Sequence, residues 1–361
     1  MKININAQVL NFMKKSLVLM ALAGVALASC VNDVADVAQN EQKKALIGFQ
    51  SPVIYQNATS RYVAGEISGT KYPTGESFMV AARKTANNWE AGDAYWTGFE
   101  KVSYVGAQQN GWKTEGDYYW PTNPLSFVAY SPAGLVGTNL TSVEYTNDGW
   151  NFNDFVVPDN QTNAEGGKID LLYSDLITGQ TSNGSNGGYY GVPVVFKHAL
   201  SSIHFKVVKA TDVEAEVKLE SITISGVKNK GDFNGTAWTP ADDAVATTYK
   251  PYNVTGGTGL EFTDAQVAVG VADANSLLLM PQDLTGVTMV VTYYVNGVQK
   301  TTSAISLDNL TQNETTNTIT EWAPGTRYTY ILNYSALAED LIYFAPSVTD
   351  WTDVSLTINL D

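Results

Sequence analysis

Few side chains in this chain could do chemistry. Its two histidines, His198 and His204, stand six residues apart in "FKHALSSIHFKV". On one strand, a period of two puts both on the same face about 20 Å apart, too far to share a metal ion. Neither an HExxH arrangement nor a GxSxG elbow occurs, so the spacing offers no zinc protease and no serine nucleophile. The run "YTNDGWNFNDF" is rich in Asp and Asn but lacks calcium-loop spacing and its closing Glu, and reads as a turn. Both histidines are expected to be structural, and neither catalysis nor a metal is expected.

The single cysteine, Cys30, is different. It rules out an intrachain disulfide. Lys14 and Lys15 precede an apolar run, "SLVLMALAGVALAS", which is too short for a comfortable membrane span, and "LASC" closes it. Leu27-Ala28-Ser29-Cys30 looks like a bacterial lipobox. There the thiol takes a lipid, and cleavage leaves Cys30 at the new N-terminus. Residues 1–29 are thus expected to be a lipoprotein signal peptide, with Met13 a second candidate start. The expected partner of Cys30 is outer-membrane lipid, with no cofactor beyond it.

Aromatic side chains offer one more candidate. Trp89, Trp96, Trp112 and Trp120 fall close together, with Tyr95, Tyr118 and Tyr119 among them. Flat aromatic faces could stack on pyranose rings. The same density suits the core of a sandwich with hydroxyl and indole groups at its margin. Both readings stand, and the glycan reading would use Trp89, Trp96 and Trp112.

The elements that would position these groups are strands. The 361 residues include 20 Tyr, 8 Trp and 30 Gly, with 44% hydrophobic and only 16% charged residues, a globular and β-leaning composition. The formal charge is −15, and the first 29 residues hold three Lys and no acid, so their loss leaves a still more acidic surface. Such a surface repels phosphate, so no nucleic-acid partner is expected. Short strand candidates recur from Glu76: "SFMVAAR", "KVSYVG", "LSFVAYSP", "NFNDFVVP". Their spacing predicts an all-β sandwich. Asn296-Gly297 between two strand patterns predicts a type I′ hairpin.

The organisation expected is a tether over 30–44, a first sandwich over 45–176, a linker over 177–189 and a second sandwich over 190–361. The linker holds "ITGQTSNGSNGG", the poorest core-former in the chain. "ALIGFQSPVIY" opens the first sandwich as a strand that Pro52 confines to an edge or a bulge. A polar, Gly-containing loop with Arg61 follows it. In "WTDVSLTINLD", Val354, Leu356, Ile358 and Leu360 alternate with polar residues as a half-buried strand.

"GWKTEGDYYWPTNPLSFVAYSPAG", "IDLLYSDL", "VVFKHALSSIHFKV", "LLLMPQDL" and "EWAPGTRYTYILNY" leading to "IYFAPSVTDW" together resemble, in order and spacing, the fimbrillin-like proteins of Bacteroidales, the type V pilins and their accessory subunits. The resemblance covers roughly residues 45–361. It implies two transthyretin-like β-sandwich domains in tandem behind a lipoprotein signal peptide. It also implies a structural subunit of a fimbria (stalk, tip or anchor) at the cell outer membrane surface, with a role in adhesion and no enzyme activity. Such subunits are cut by a surface trypsin-like protease, and a strand of another pilin subunit fills the groove left by the removed one. Carried onto this chain, the removable strand is "ALIGFQSPVIY" and the cut follows Arg61, with Lys44 the runner-up. Val354, Leu356, Ile358 and Leu360 would face the groove of a neighbour if donated, or this chain's own core if the strand closes its own sheet. The alternative is a glycan-binding surface lipoprotein that uses the aromatics of the first sandwich, and a host or bacterial glycan or protein is a further expected partner.

Overall fold

The computed structural model describes residues 45–54, 71–106, 111–161, 167–182, 191–270, 275–311 and 318–335, and the main chain of 352–360. Cys30, Lys44 and Arg61 lie outside them. Every regular element among the described residues is a strand, as β-branched and aromatic runs broken by Gly and Pro dictate.

The chain lays down β1 (Val53–Ile54), β2 (Ser77–Arg83), β3 (Glu100–Tyr104), β4 (Trp112–Thr114) and β5 (Leu125–Ser131). A hairpin of β6 (Ser142–Thr146) and β7 (Gly149–Val156) follows, then β8 (Leu172–Ser174), β9 (Ile177–Gln180) and β10 (Val195–His198). Beyond them come β11 (Ser201–Lys209), β12 (Val217–Lys228), β13 (Lys230–Phe233), β14 (Trp238–Pro240), β15 (Ala246–Asn253) and β16 (Val267–Ala268). The series ends with β17 (Leu277–Leu279), β18 (Thr288–Val295), β19 (Val298–Thr301), β20 (Ile305–Ser306), β21 (Leu310–Thr311), β22 (Thr318–Ile319), β23 (Thr326–Tyr334) and β24 (Thr352–Leu360).

The first sheet has the order β1-β10-β8-β5-β2-β3-β4, with β9 also on β5. Its central strand β5 is buried at all seven positions, so both faces of the sheet are covered there. Two further sheets, β16-β11-β23-β24 and β15-β12-β18-β19, carry the remaining core. Val217, Leu219, Ile222 and Ile224 of β12 and Ile203, Phe205 and Val207 of β11 are all buried in it. The Asn296-Gly297 turn joins β18 to β19 as expected, with φ of 48° and 80° at its two central residues.

The strand pairing crosses the expected domain boundary. The expected linker 177–189 opens with β9, which pairs with β5, and β10, assigned to the second sandwich, pairs with β8 of the first sheet. A fourth sheet, β14-β13-β7-β6, mixes strands from both halves. Its seam is aromatic. Phe233 of β13 lies 5.1 Å from Trp238, 5.1 Å from Tyr173 and 6.1 Å from Phe152, ring centre to ring centre. The stretch read as one histidine-bearing strand is in fact two, with β10 in the first sheet and β11 in another. Between them Ala199 N donates to Leu171 O and Gly325 N donates to Leu200 O, so each sheet claims one side of the break.

A shared seam couples the stability of the halves. Phe233→Ala should cost about 3–5 kcal/mol, and denaturant unfolding followed by probes in both halves should show one transition, whereas two separated transitions would contradict the coupling.

Candidate functional site

Residues 47–54 run where the two ends of the first sheet meet. On one side Ile47 N donates to Tyr118 O at 2.7 Å and Phe49 N to Trp112 O at 2.9 Å. These bonds tie the segment to the end of the sheet that carries β4. On the other side Gln50 N donates to Val192 O at 3.0 Å, Val192 N to Gly48 O at 2.9 Å and Val53 N to Val194 O at 3.0 Å. β1 then continues in parallel along β10, with Val53 opposite Val195 and Ile54 opposite Phe196. Pro193 has no N–H to offer, and it falls between the two residues that bond to the segment, where its amide is not called on. The segment, whose own β1 lies beside β10, therefore staples that end of the sheet to the end that carries β4.

Beneath it lies an aromatic floor. Phe49, 2% exposed, meets Phe78 and Phe127 edge-on at 5.7 and 6.0 Å. Phe78 in turn touches Trp112 and Phe196 at 5.8 and 5.5 Å, and Tyr72 touches Trp112 and Phe196 at 5.4 Å each. The edge-to-face pairs among these are favoured by the ring quadrupoles and add to the gain from burial. Ile47 and Ile54 are buried with Phe49, and Pro52 also points inward.

Tyr72 fastens the far side of residues 55–70, which include Arg61 and lie outside the described residues. Its main-chain N donates to Pro52 O at 3.0 Å. Its hydroxyl donates to Ser77 O at 3.0 Å and lies 2.7 Å from Ser131 Oγ. Burial pushes that hydroxyl's pKa well above the usual tyrosine value, so it stays protonated and able to donate. Gly191 is the other device. A Cβ there would stand 2.5 Å from Phe49 C and 2.7 Å from Gln50 N, and its φ is +76°. Only glycine allows the segment's backbone so close.

The remaining candidates fall elsewhere. Trp89, Trp96 and Trp112 are 4%, 6% and 1% exposed, so they supply core and do not offer free faces for a sugar. Arg83 covers the Trp89 ring at 5.4 Å, Trp96 Nε1 donates to Val80 O, and Trp112 belongs to the floor just described. His198 Nδ1 lies 3.0 Å from Asp170 Oδ1, and His204 Nε2 lies 2.7 Å from Ser202 Oγ, all four side chains buried. Among the described residues no cluster of His, Cys, Asp or Glu could hold a metal ion.

β24, which carries Val354, Leu356, Ile358 and Leu360, forms the edge of its sheet and runs parallel to β23. All nine of its residues are in register, from Thr352 opposite Thr326 to Leu360 opposite Tyr334. In the isolated chain the strand is thus paired along its length with β23. Tyr72, Gly191 and the Val192–Val194 edge were not anticipated. Gly-Val-Pro-Val was the available signal, since a glycine and a strand proline together mark a close approach at an edge.

The family model described as "Fimbrillin-like" matches residues 70–351. A comparison with curated proteins finds no match. Among solved structures, a fimbrial protein from Bacteroides vulgatus is 17% identical with a TM-score of 0.53, covering 81% of this chain and 96% of that one. A "putative cell adhesion protein" from Bacteroides uniformis is 15% identical with a TM-score of 0.49, covering 86% and 97%.

Two substitutions probe the staple. Phe49→Ala should lower unfolding stability by about 3–5 kcal/mol, and Gly191→Ala should destabilise through both clash and φ. Either variant matching the parent in a denaturant titration would show that the segment is not held as described.

Proposed function

The chain belongs to the fimbrillin-like family, and from that premise we propose that it is a structural subunit of a type V fimbria, exported as a lipoprotein through Cys30 and assembled by strand exchange at the cell surface. The observation that carries the reading is the staple. A single short segment supplies the pairing for two sheet edges at once and covers an aromatic floor. Removing it would leave unpaired N–H and C=O groups beside an apolar groove, the condition under which a sheet takes up a foreign strand.

A trypsin-like cut after Arg61 would act in this setting. It falls between two anchored points, Ile54 in β1 and Tyr72 on its hydroxyl network. Residues 45–61 would then be held by non-covalent contacts alone, while Tyr72 stays with the body of the protein. A cut after Lys44 would leave the staple in place, so Arg61 is the preferred site. The lipid on Cys30 would leave with the severed piece, and an uncut chain would stay anchored.

Donation of β24 fits its position at an edge. It has one neighbour in its sheet, so it can leave at the cost of one ladder. In the isolated chain it pairs with β23, and in a fimbria the same alternating residues would enter the next subunit. The expected partners are therefore other pilin subunits, the outer-membrane lipid of the precursor and the processing protease.

In cells, Arg61→Ala should keep the protein lipidated at Cys30, whereas the parent should be recovered with Tyr62 at its N-terminus. Deleting residues 352–361 should abolish the heat-resistant ladders of assembled subunits on a gel. Unchanged ladders would remove strand donation from the account.

A further inference from the structure

We propose that the groove under residues 47–54 selects a strand from a different subunit, one with an aromatic side chain at the second buried position, and not a second copy of this chain's own C-terminal strand. The inference rests on the strand-exchange reading and adds the identity of the partner. The present occupant shows what the groove holds. Its inward residues are Ile47, Phe49, Pro52 and Ile54, so the spacing is two, three and two. The step of three comes at Pro52, where regular alternation breaks.

The C-terminal strand has none of these features. Val354, Leu356, Ile358 and Leu360 repeat at two, two and two. Because a shift of one residue turns a strand's side chains to the opposite face, this strand can match the first pair of slots or the second pair, but not both. Its apolar residues are all aliphatic, whereas the second slot is walled by Phe78 and Phe127 at edge-to-face distances from an aromatic ring. An aliphatic side chain there would leave a void and forfeit both ring pairs. Between the first two slots the occupant has Gly48, itself buried and without a side chain to place. The C-terminal strand offers Ser355, Thr357 or Asn359 in the equivalent place.

Shape and register thus reject the same candidate independently. The occupant that fits is an extended segment of the pattern aliphatic, glycine, aromatic, with the next inward residue three positions on, where alternation breaks. A chain whose groove rejects its own terminal strand does not form a homopolymer by this route. It takes its place next to a subunit of another sequence.

The test uses the full chain with residues 58–64 replaced by the recognition sequence of a site-specific protease. After cutting, labelled peptides compete with the retained fragment. A peptide of residues 45–55 should exchange in and bind tightest. The same peptide with Phe49→Leu should bind about tenfold more weakly or worse, and a peptide of residues 351–361 at least about a hundredfold more weakly. If the 351–361 peptide binds within about threefold of the first, selectivity is overturned while strand exchange stands. If the 45–55 peptide itself fails to exchange into the cut protein, strand exchange is overturned and the selectivity with it.

Discussion

Backbone pairing of residues 47–54 with both ends of the first sheet is the constraint that closes that sheet and covers its aromatic groove. A sheet whose end strands are left open carries two rows of unpaired polar groups, and each buried unpaired group costs on the order of 1–3 kcal/mol. Here one segment answers both rows, through Tyr118 and Trp112 on one side and Val192 and Val194 on the other. It also caps a floor of rings, Phe78, Phe127, Trp112, Phe196 and Tyr72, that would otherwise meet water. A fold built this way tolerates a change of occupant far better than it tolerates a vacancy.

The scaffold around that groove does not depend on the segment for its own integrity. The main cluster of buried residues runs from Ala81 through Trp150, Phe152 and Phe233 to Tyr330 and Leu332, and Phe49 is not part of it. β7 pairs with β13, and the break between β10 and β11 passes the chain from one sheet to another. These connections spread stability over both halves, so that loss of a short edge segment is a local event. A subunit that must open a groove without unfolding needs this separation between a replaceable edge and a shared core.

Much of the fold was legible in the sequence for local reasons. Short apolar runs such as "SFMVAAR" and the Asn296-Gly297 turn carry their conformation in a few residues, and β2 and the β18–β19 hairpin occur where those residues stand. Pairing partners were not legible, because alternation fixes which face a side chain takes and says nothing about which strand lies alongside. That is why the stretch carrying His198 and His204 read as one strand, why residues 177–189 read as a bare linker, and why β24 could equally be a donor or a closing strand. Within the site, Pro52 signalled an edge or a bulge and Arg61 a loop. Gly191 and Tyr72 act only through contacts distant in sequence, Phe49 and Gln50 for the one and Pro52, Ser77 and Ser131 for the other. For Gly191 the following Val-Pro-Val hints at an edge without naming the partner, and the neighbours of Tyr72 along the chain announce nothing.

Hydrogen exchange on the protein before and after a cut between residues 55 and 71 tests the central claim most directly. If residues 47–54 are a replaceable strand on an intact scaffold, dissociation of the cut fragment should deprotect the Val192 amide, which donates to Gly48 O, while the amides of β5, β11 and β12 stay protected. Loss of protection throughout the chain, or a Val192 amide that stays protected once the fragment has been removed, would contradict it.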